Sequence, residues 1–295
     1  MRVTEAMIYQ QTIDRANVAL VRVSKAQSEL SSGLRVQSPA DDPQAAGLLV
    51  RHKFDQTQIT AIQNGAQSAA NELNTAGSAL GDVSTALARA QVLATQLGND
   101  TYNADDRAAA ATEIDGLFKQ VVGSLNTRLG DRYVFGGYVD NQPPFTAAGV
   151  YQGDTGVRQV EVAPGVYEDA SVRADVAAKG VGGGVDILQT LTDLSSALRA
   201  NDGAAIRATV TSLQTGSNQI SAAQSQAGTS VNIFTSAVST CTQQNTDETK
   251  IISQLGDADV MDASTRLSLA QYALNATLTA ATQTLNLSLV SLLSK

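Results

Sequence analysis

The chain has 295 residues and a net charge of −8, with 20 Lys and Arg scattered among 28 Asp and Glu. The absence of a basic stripe argues against nucleic acid as a partner, and a single Cys and a single His exclude an internal disulfide framework, a cysteine-based metal site and a histidine cluster within one chain. Aromatics make up only 4% with no Trp, fewer than a large enzyme core usually carries, and no apolar run reaches membrane-spanning length.

The first 25 residues lack the continuous apolar segment of a cleaved secretory signal. Residues 4–32 instead carry a helical seam: Ala6, Tyr9, Ile13, Ala16, Leu20, Val23, Gln27, Leu30. Ser31-Ser32-Gly33 marks its end, and Leu34 to Asp41 links it to the next helix. Asp42 can cap that helix, and Pro43 suits its first turn. Apolar residues then recur at spacings of three and four: Ile59, Ile62, Ala66, Ala69, Leu73, Ala76, Leu80, Val83, Leu87, Ala90, Ala94, Leu97. A heptad seam of this length predicts one long helix packed along others. After Gly98-Asn99, Asn103 is a cap for a third helix running to about Leu129, with Ile114, Leu117, Val121 and Leu125 on one face.

At Gly130 the pattern changes. Arg132-Tyr133-Val134-Phe135-Gly136-Gly137-Tyr138 is β-branched and aromatic, and its glycines mark a bend. Val157 to Val162 alternates, Pro164-Gly165 signals a turn, and Ser171 to Val176 is expected to add a strand. Gly182-Gly183-Gly184 closes this small β insert, expected to be a separable outer unit. Helices resume at Asp186, turn at Asn201-Asp202-Gly203, and continue as a third seam from Ile206 to Leu255. Gly256-Asp257 interrupts it. The last helix carries Leu267, Ala270, Leu274, Leu278, Ala281, Leu285, Leu289 and Leu292.

The expected fold is mainly α with a small β insert: a long antiparallel helical coiled-coil rod with the N- and C-terminal helices paired at one end. Its parts are residues 1–42 (assembly helix and linker), 43–130 (first half of the rod), 131–184 (outer insert), 185–256 (second half of the rod) and 257–295 (C-terminal assembly helix). Each terminal helix exposes a single seam, while ordering a residue costs ~1–2 kcal/mol, so both ends are expected to be marginal alone and stable when packed against copies or partners. Ile13, Leu20, Val23, Leu30, Leu267, Leu274, Leu278, Leu285 and Leu292 are the predicted assembly interface.

Chemistry is sparse. His52, between Arg51 and Lys53, reads as a solvated or half-buried helix residue; Asp41-Asp42 and Asp105-Asp106 read as caps; the Gly182–Gly184 run lacks the Lys and Ser/Thr of a phosphate loop; Cys241 falls on a seam position. No catalytic, cofactor-binding or metal site is expected, and so no enzyme.

Two motifs carry a family resemblance. Ser31-Ser32-Gly33-Leu34-Arg35-Val36, followed by Ser38-Pro39-Ala40-Asp41-Asp42-Pro43, resembles the junction after the first helix of bacterial flagellins. Asp131 to Tyr138, with Pro144-Phe145 beyond, is similar to the hook-associated protein 3 family rather than to flagellin, which usually has Ala where Pro43 stands. The resemblance implies a structural protein exported through the flagellar type III channel and sited outside the cell at the hook–filament junction. The implied partners are hook-associated protein 1 below, flagellin above, copies of itself in a ring, and an export chaperone on Leu267 to Leu293. The alternative is a flagellin or minor filament subunit. A coiled-coil adhesin or membrane sensor would need a span or anchor that the sequence lacks.

Overall fold

The computed structural model describes the backbone of residues 5–293, and the side chains of Met7 and of residues 10–283. Among the described residues, seven helices and four short strands follow in order: α1 (Glu5–Ser32), α2 (Pro43–Leu97), α3 (Ala104–Leu125), β1 (Arg128–Leu129), β2 (Arg132–Tyr133), β3 (Gln159–Ala163), β4 (Val166–Asp169), α4 (Ala174–Ala177), α5 (Ile187–Arg199), α6 (Gly203–Gly256) and α7 (Val260–Leu293). They fall into two compact units, one running to Gln58 and resuming at Gln244, the other spanning Ile59–Gln243.

The larger unit, Ile59–Gln243, is built on α2. Every seam residue from Ala66 to Leu97 is buried: Ala66, Ala69 and Leu73 with Ala227 and Phe234 of α6, and Ala76 to Leu97 with Ile114, Val121 and Leu125 of α3, Leu191, Leu194 and Leu198 of α5, and Ile206, Leu213 and Ile220 of α6. Alternating Ala with Leu along α2 lets neighbouring helices approach closely while the leucines fill the space between them. Capping follows the sequence: Asn103 accepts from the Asp106 amide at 2.8 Å, Asp186 from Gln189 at 3.1 Å, and Asp202 from Ala205 at 3.0 Å.

The insert departs from expectation in three ways. α3 stops at Leu125, because Asn126 turns to clamp Phe145, with its amide nitrogen donating to the Phe145 carbonyl and its oxygen accepting from the Phe145 amide, both at 2.9 Å. The chain then forms two antiparallel hairpins, β1–β2 around Gly130 (φ 61°) and β3–β4 around Gly165 (φ 76°). Ser171 to Val176 is not a strand: Ala174 and Ala177 are buried on the short α4, and Arg173 pairs with Asp175 at 2.5 Å. Nor does the insert carry a core of its own. Val134, Phe135, Phe145, Ala174 and Ala177 join the main cluster with the helices. Its polar ties run the same way: Glu72 of α2 pairs with Arg158, and Ser230 of α6 donates to Glu168 at 2.7 Å.

The smaller unit holds α1, the start of α2, the end of α6 and α7. α1 packs along α7. A separate apolar cluster of Val36, Ala45 and Leu49, with Ile252 and Leu255 against it, joins the segment after α1 to α2 and α6. Among the described residues no helix is long and apolar enough to cross a membrane.

Candidate assembly interface

α1 meets α7 with its small side chains. Ala19 and Ala26 are buried, Ala16 and Val23 half-buried, and Ala263 of α7 is buried opposite. This inner face lies one position from most of the sequence seam: Ala19 is buried beside the exposed Leu20, and Ala26 beside the exposed Gln27. A helix turns about 100° per residue, so one position moves a side chain from the pairing face towards solvent. Of the predicted interface residues, Ile13, Leu20, Leu30 and Leu278 are exposed, and Val23, Leu267 and Leu274 are half-buried. The side chains of Leu285 and Leu292 lie outside the described residues. Sequence spacing missed Val18, Val21, Leu269 and Tyr272, which are also exposed, Tyr272 to 76%. Exposed apolar side chains this dense on two adjacent helices are a surface suited to further protein.

One ion pair fixes how α1 sits on α7. Glu29 is 4% exposed, and its carboxylate meets Arg266 at 3.0 Å. Arg266 also reaches Asp262, one turn before it, at 3.0 Å. Burying a carboxylate is costly unless it is paired, so this contact sets the register of the helix pair more than it stabilises it.

The segment after α1 is not a loose linker. Gly33, at φ 69°, ends the helix, and Leu34 then bridges antiparallel to Asp257. The Arg35 amide donates to the Gly256 carbonyl at 2.7 Å, and the Ala258 amide to Gly33 at 2.8 Å. The Arg35 guanidinium donates to the Leu255 carbonyl at 2.6 Å and to Asp42 at 3.1 Å. Asp42 also caps α2 through the Ala45 amide at 3.0 Å. Asp41 accepts from Lys25 at 2.8 Å and from the amide and hydroxyl of Ser38 at 2.9 and 3.0 Å. Lys25 first, then Ser38, holds the Asp41 carboxyl well below the usual carboxylate range. Both aspartates are thus engaged within the protein, which disposes of them as a cation site. His52 is half-buried and lies 2.7 Å from Glu248. Cys241 is buried, and burial pushes its thiol up, the opposite of an activated nucleophile.

Comparison with known proteins shows what this arrangement resembles. The bacterial flagellin N-terminal helical region matches residues 3–139. That stretch of the chain is flagellin-like. Over about half its length the chain is homologous to flagellar hook-associated protein 3: that of Salmonella typhimurium is 32% identical over 162 residues, 54% of this chain and 51% of that protein. The chain therefore spans about half the length of the curated relatives it matches. Two solved structures share the fold. A candidate flagellar hook-associated protein from Vibrio parahaemolyticus matches at a TM-score of 0.67 with 20% identity, covering 74% of this chain and 100% of that one. FlgL of Bacillus cereus matches at 0.60 with 23% identity, covering 69% and 99%.

Proposed function

We propose that the chain is a non-catalytic structural subunit of the bacterial flagellum, joining the hook to the filament outside the cell. Its neighbours are hook-associated protein 1 on the hook side, flagellin on the filament side, and further copies of itself in a ring. The single observation that carries the proposal is the homology to hook-associated protein 3 over half the chain. The exposed apolar side chains on α1 and α7 support an assembly role for those two helices, with Ile13, Leu20, Val23, Leu30, Leu267, Leu274, Leu278, Leu285 and Leu292 as its interface. A pair that buries alanines inside and leaves leucines outside is incomplete until other subunits cover it. Residues 1–42 and 257–295 then serve as the assembly arms, and 43–256 as the body. Export through the type III channel, with a chaperone on Leu267 to Leu293, belongs to the same proposal.

Immunogold labelling of intact flagella tests it. One labelled band at the hook–filament boundary is the expected result. Label spread along the filament would make the chain a flagellin or minor filament subunit instead.

A further inference from the structure

Near the Gln56–Thr249 hydrogen bond, one of several polar contacts between α2 and α6, the two helices bring three ligand-type side chains together. There His52 and Asp55 of α2 face Glu248 of α6. His52 and Asp55 are three residues apart, so the helix places them on one face. The ligand-type atoms of all three side chains lie within 4.8 Å of one another, and all three residues are half-buried. His52 Nδ1 stands 2.7 Å from a Glu248 oxygen. The Asp55 carboxylate forms no hydrogen bond or ion pair with any described residue. Two half-buried carboxylates therefore share one imidazole, in a chain that is already net negative. Like charges this close favour a cation between them.

We propose that His52, Asp55 and Glu248 form a binding site for a divalent transition-metal ion, with Zn²⁺ as the best-suited ion, that cross-links α2 to α6. Imidazole nitrogen and carboxylate oxygen are both zinc ligands, and water can complete the tetrahedral shell. At ordinary zinc–ligand lengths the donor atoms stand ~3.4 Å apart. The 2.7 Å His52–Glu248 contact would open slightly and the widest separation in the group would close. Side-chain torsions alone supply both changes. The nitrogen donor and the small ligand number disfavour Ca²⁺ and Mg²⁺, which prefer six or more oxygens including water. The metal would act structurally, cross-linking the two helices at this level.

The test uses the full chain, freed of metal by chelation, titrated with Zn²⁺ by calorimetry and with Co²⁺ by visible absorbance. Saturable binding of one ion per chain is expected, with Co²⁺ bands of low coordination number and no competition from excess Ca²⁺. Asp55→Asn and His52→Ala should each weaken binding by roughly 10–100-fold or more. Asp55→Asn keeps the His52–Glu248 contact, so its circular dichroism should match the parent and separate loss of the site from loss of fold. No saturable binding, equal binding by both variants and the parent, or displacement by Ca²⁺ would each overturn the site.

Discussion

α2 and α1 are both long amphipathic helices, yet they use their large side chains in opposite ways. Along α2, Leu73, Leu80, Val83, Leu87 and Leu97 point inward and are almost wholly buried. Along α1, alanines point inward, while Val18, Leu20 and Val21 point outward, Leu20 to 58% exposure. Burial is worth ~25 cal/mol per Å² of apolar surface, so an alanine contributes far less than a leucine. The larger unit thus has a conventional core, whereas the α1–α7 pair has a thin one and leaves large apolar side chains exposed. A helix can be equally apolar in sequence and still differ in whether its own chain or another completes it.

The sharpest test of the first half of this contrast lies in the insert. Phe145 is 1% exposed, stacks against Tyr151 at 5.1 Å between ring centroids, and joins the main core. Phe145→Ala should cost about 3–5 kcal/mol, and Leu87→Ala about 2–5, measured by denaturant unfolding followed at a helical wavelength. Loss of the helical signal together with the insert would show one cooperative core. An insert that unfolds first, with the helices untouched, would restore it as a separate unit.

Within the smaller unit the ion pair gives an asymmetric prediction. Removing Arg266 strands a buried carboxylate, while removing the Glu29 charge leaves an Arg266 that is 42% exposed and still holds Asp262. Arg266→Ala should therefore destabilise the α1–α7 pair by about 1–3 kcal/mol, and Glu29→Gln by less. Hydrogen exchange of α1 amides reads the difference; equal effects would mean that the carboxylate finds another partner. Asp41 adds a pH signature. Its folded pKa is depressed, so its contribution is present above the unfolded value near 4 and is lost as pH falls through the lower folded one. Exchange protection at residues 34–41 should fall in strong acid, and Lys25→Ala should move that loss to higher pH.

Tyr151 offers a smaller effect at the other end of the scale. Its hydroxyl lies within hydrogen-bonding reach of the Asp154 carbonyl at 2.8 Å and of the Phe135 carbonyl at 3.2 Å. Burial, aided by the charges of Asp175 and Asp154, pushes the phenol up to about 12. A raised phenol pKa means that stability is complete below the unfolded value near 10 and declines as pH rises towards 12. Tyr151→Phe should cost about 1 kcal/mol at neutral pH through the lost hydrogen bond and flatten the alkaline decline. An unchanged alkaline limb in that variant would assign the decline to other groups.

The pattern of successes follows from what sequence periodicity can carry. The α2 seam was legible because its large and small apolar residues share one face over many turns, and Asn103 was legible as a cap because its partner, Asp106, lies three residues on. The clip at Arg35 was not, since its acceptor, Leu255, is 220 positions away and no local signal announces it. The face by which α1 meets α7 was not legible either, because its buried residues, Ala19 and Ala26, are small and stand out less in the sequence than Leu20 and Leu30. The strand expected at Ser171–Val176 failed for a related reason: Ala174 and Ala177 are needed for their small size in a crowded core, where a short helical turn fits.

The smallest expected effect on folding is the most informative about assembly. Leu20 is 58% exposed on α1 and Leu278 is 48% exposed on α7. Changing both to Asp adds charge where water already reaches, and surface substitutions of this kind usually stay within about 0.5 kcal/mol. The unfolding transition of the purified chain should therefore match the parent within error. In an assembled ring the same two positions would enter a low-dielectric interface, where an unpaired carboxylate costs several kcal/mol. The double variant should be secreted, fail to join the hook, and leave cells shedding flagellin into the medium. Secreted protein is measured separately, because the chaperone proposed for Leu267 to Leu293 would contact Leu278 too. Normal secretion with filaments of normal length would mean that the outward leucines of α1 and α7 are not the assembly surface, and the contrast with α2 would then be one of packing alone.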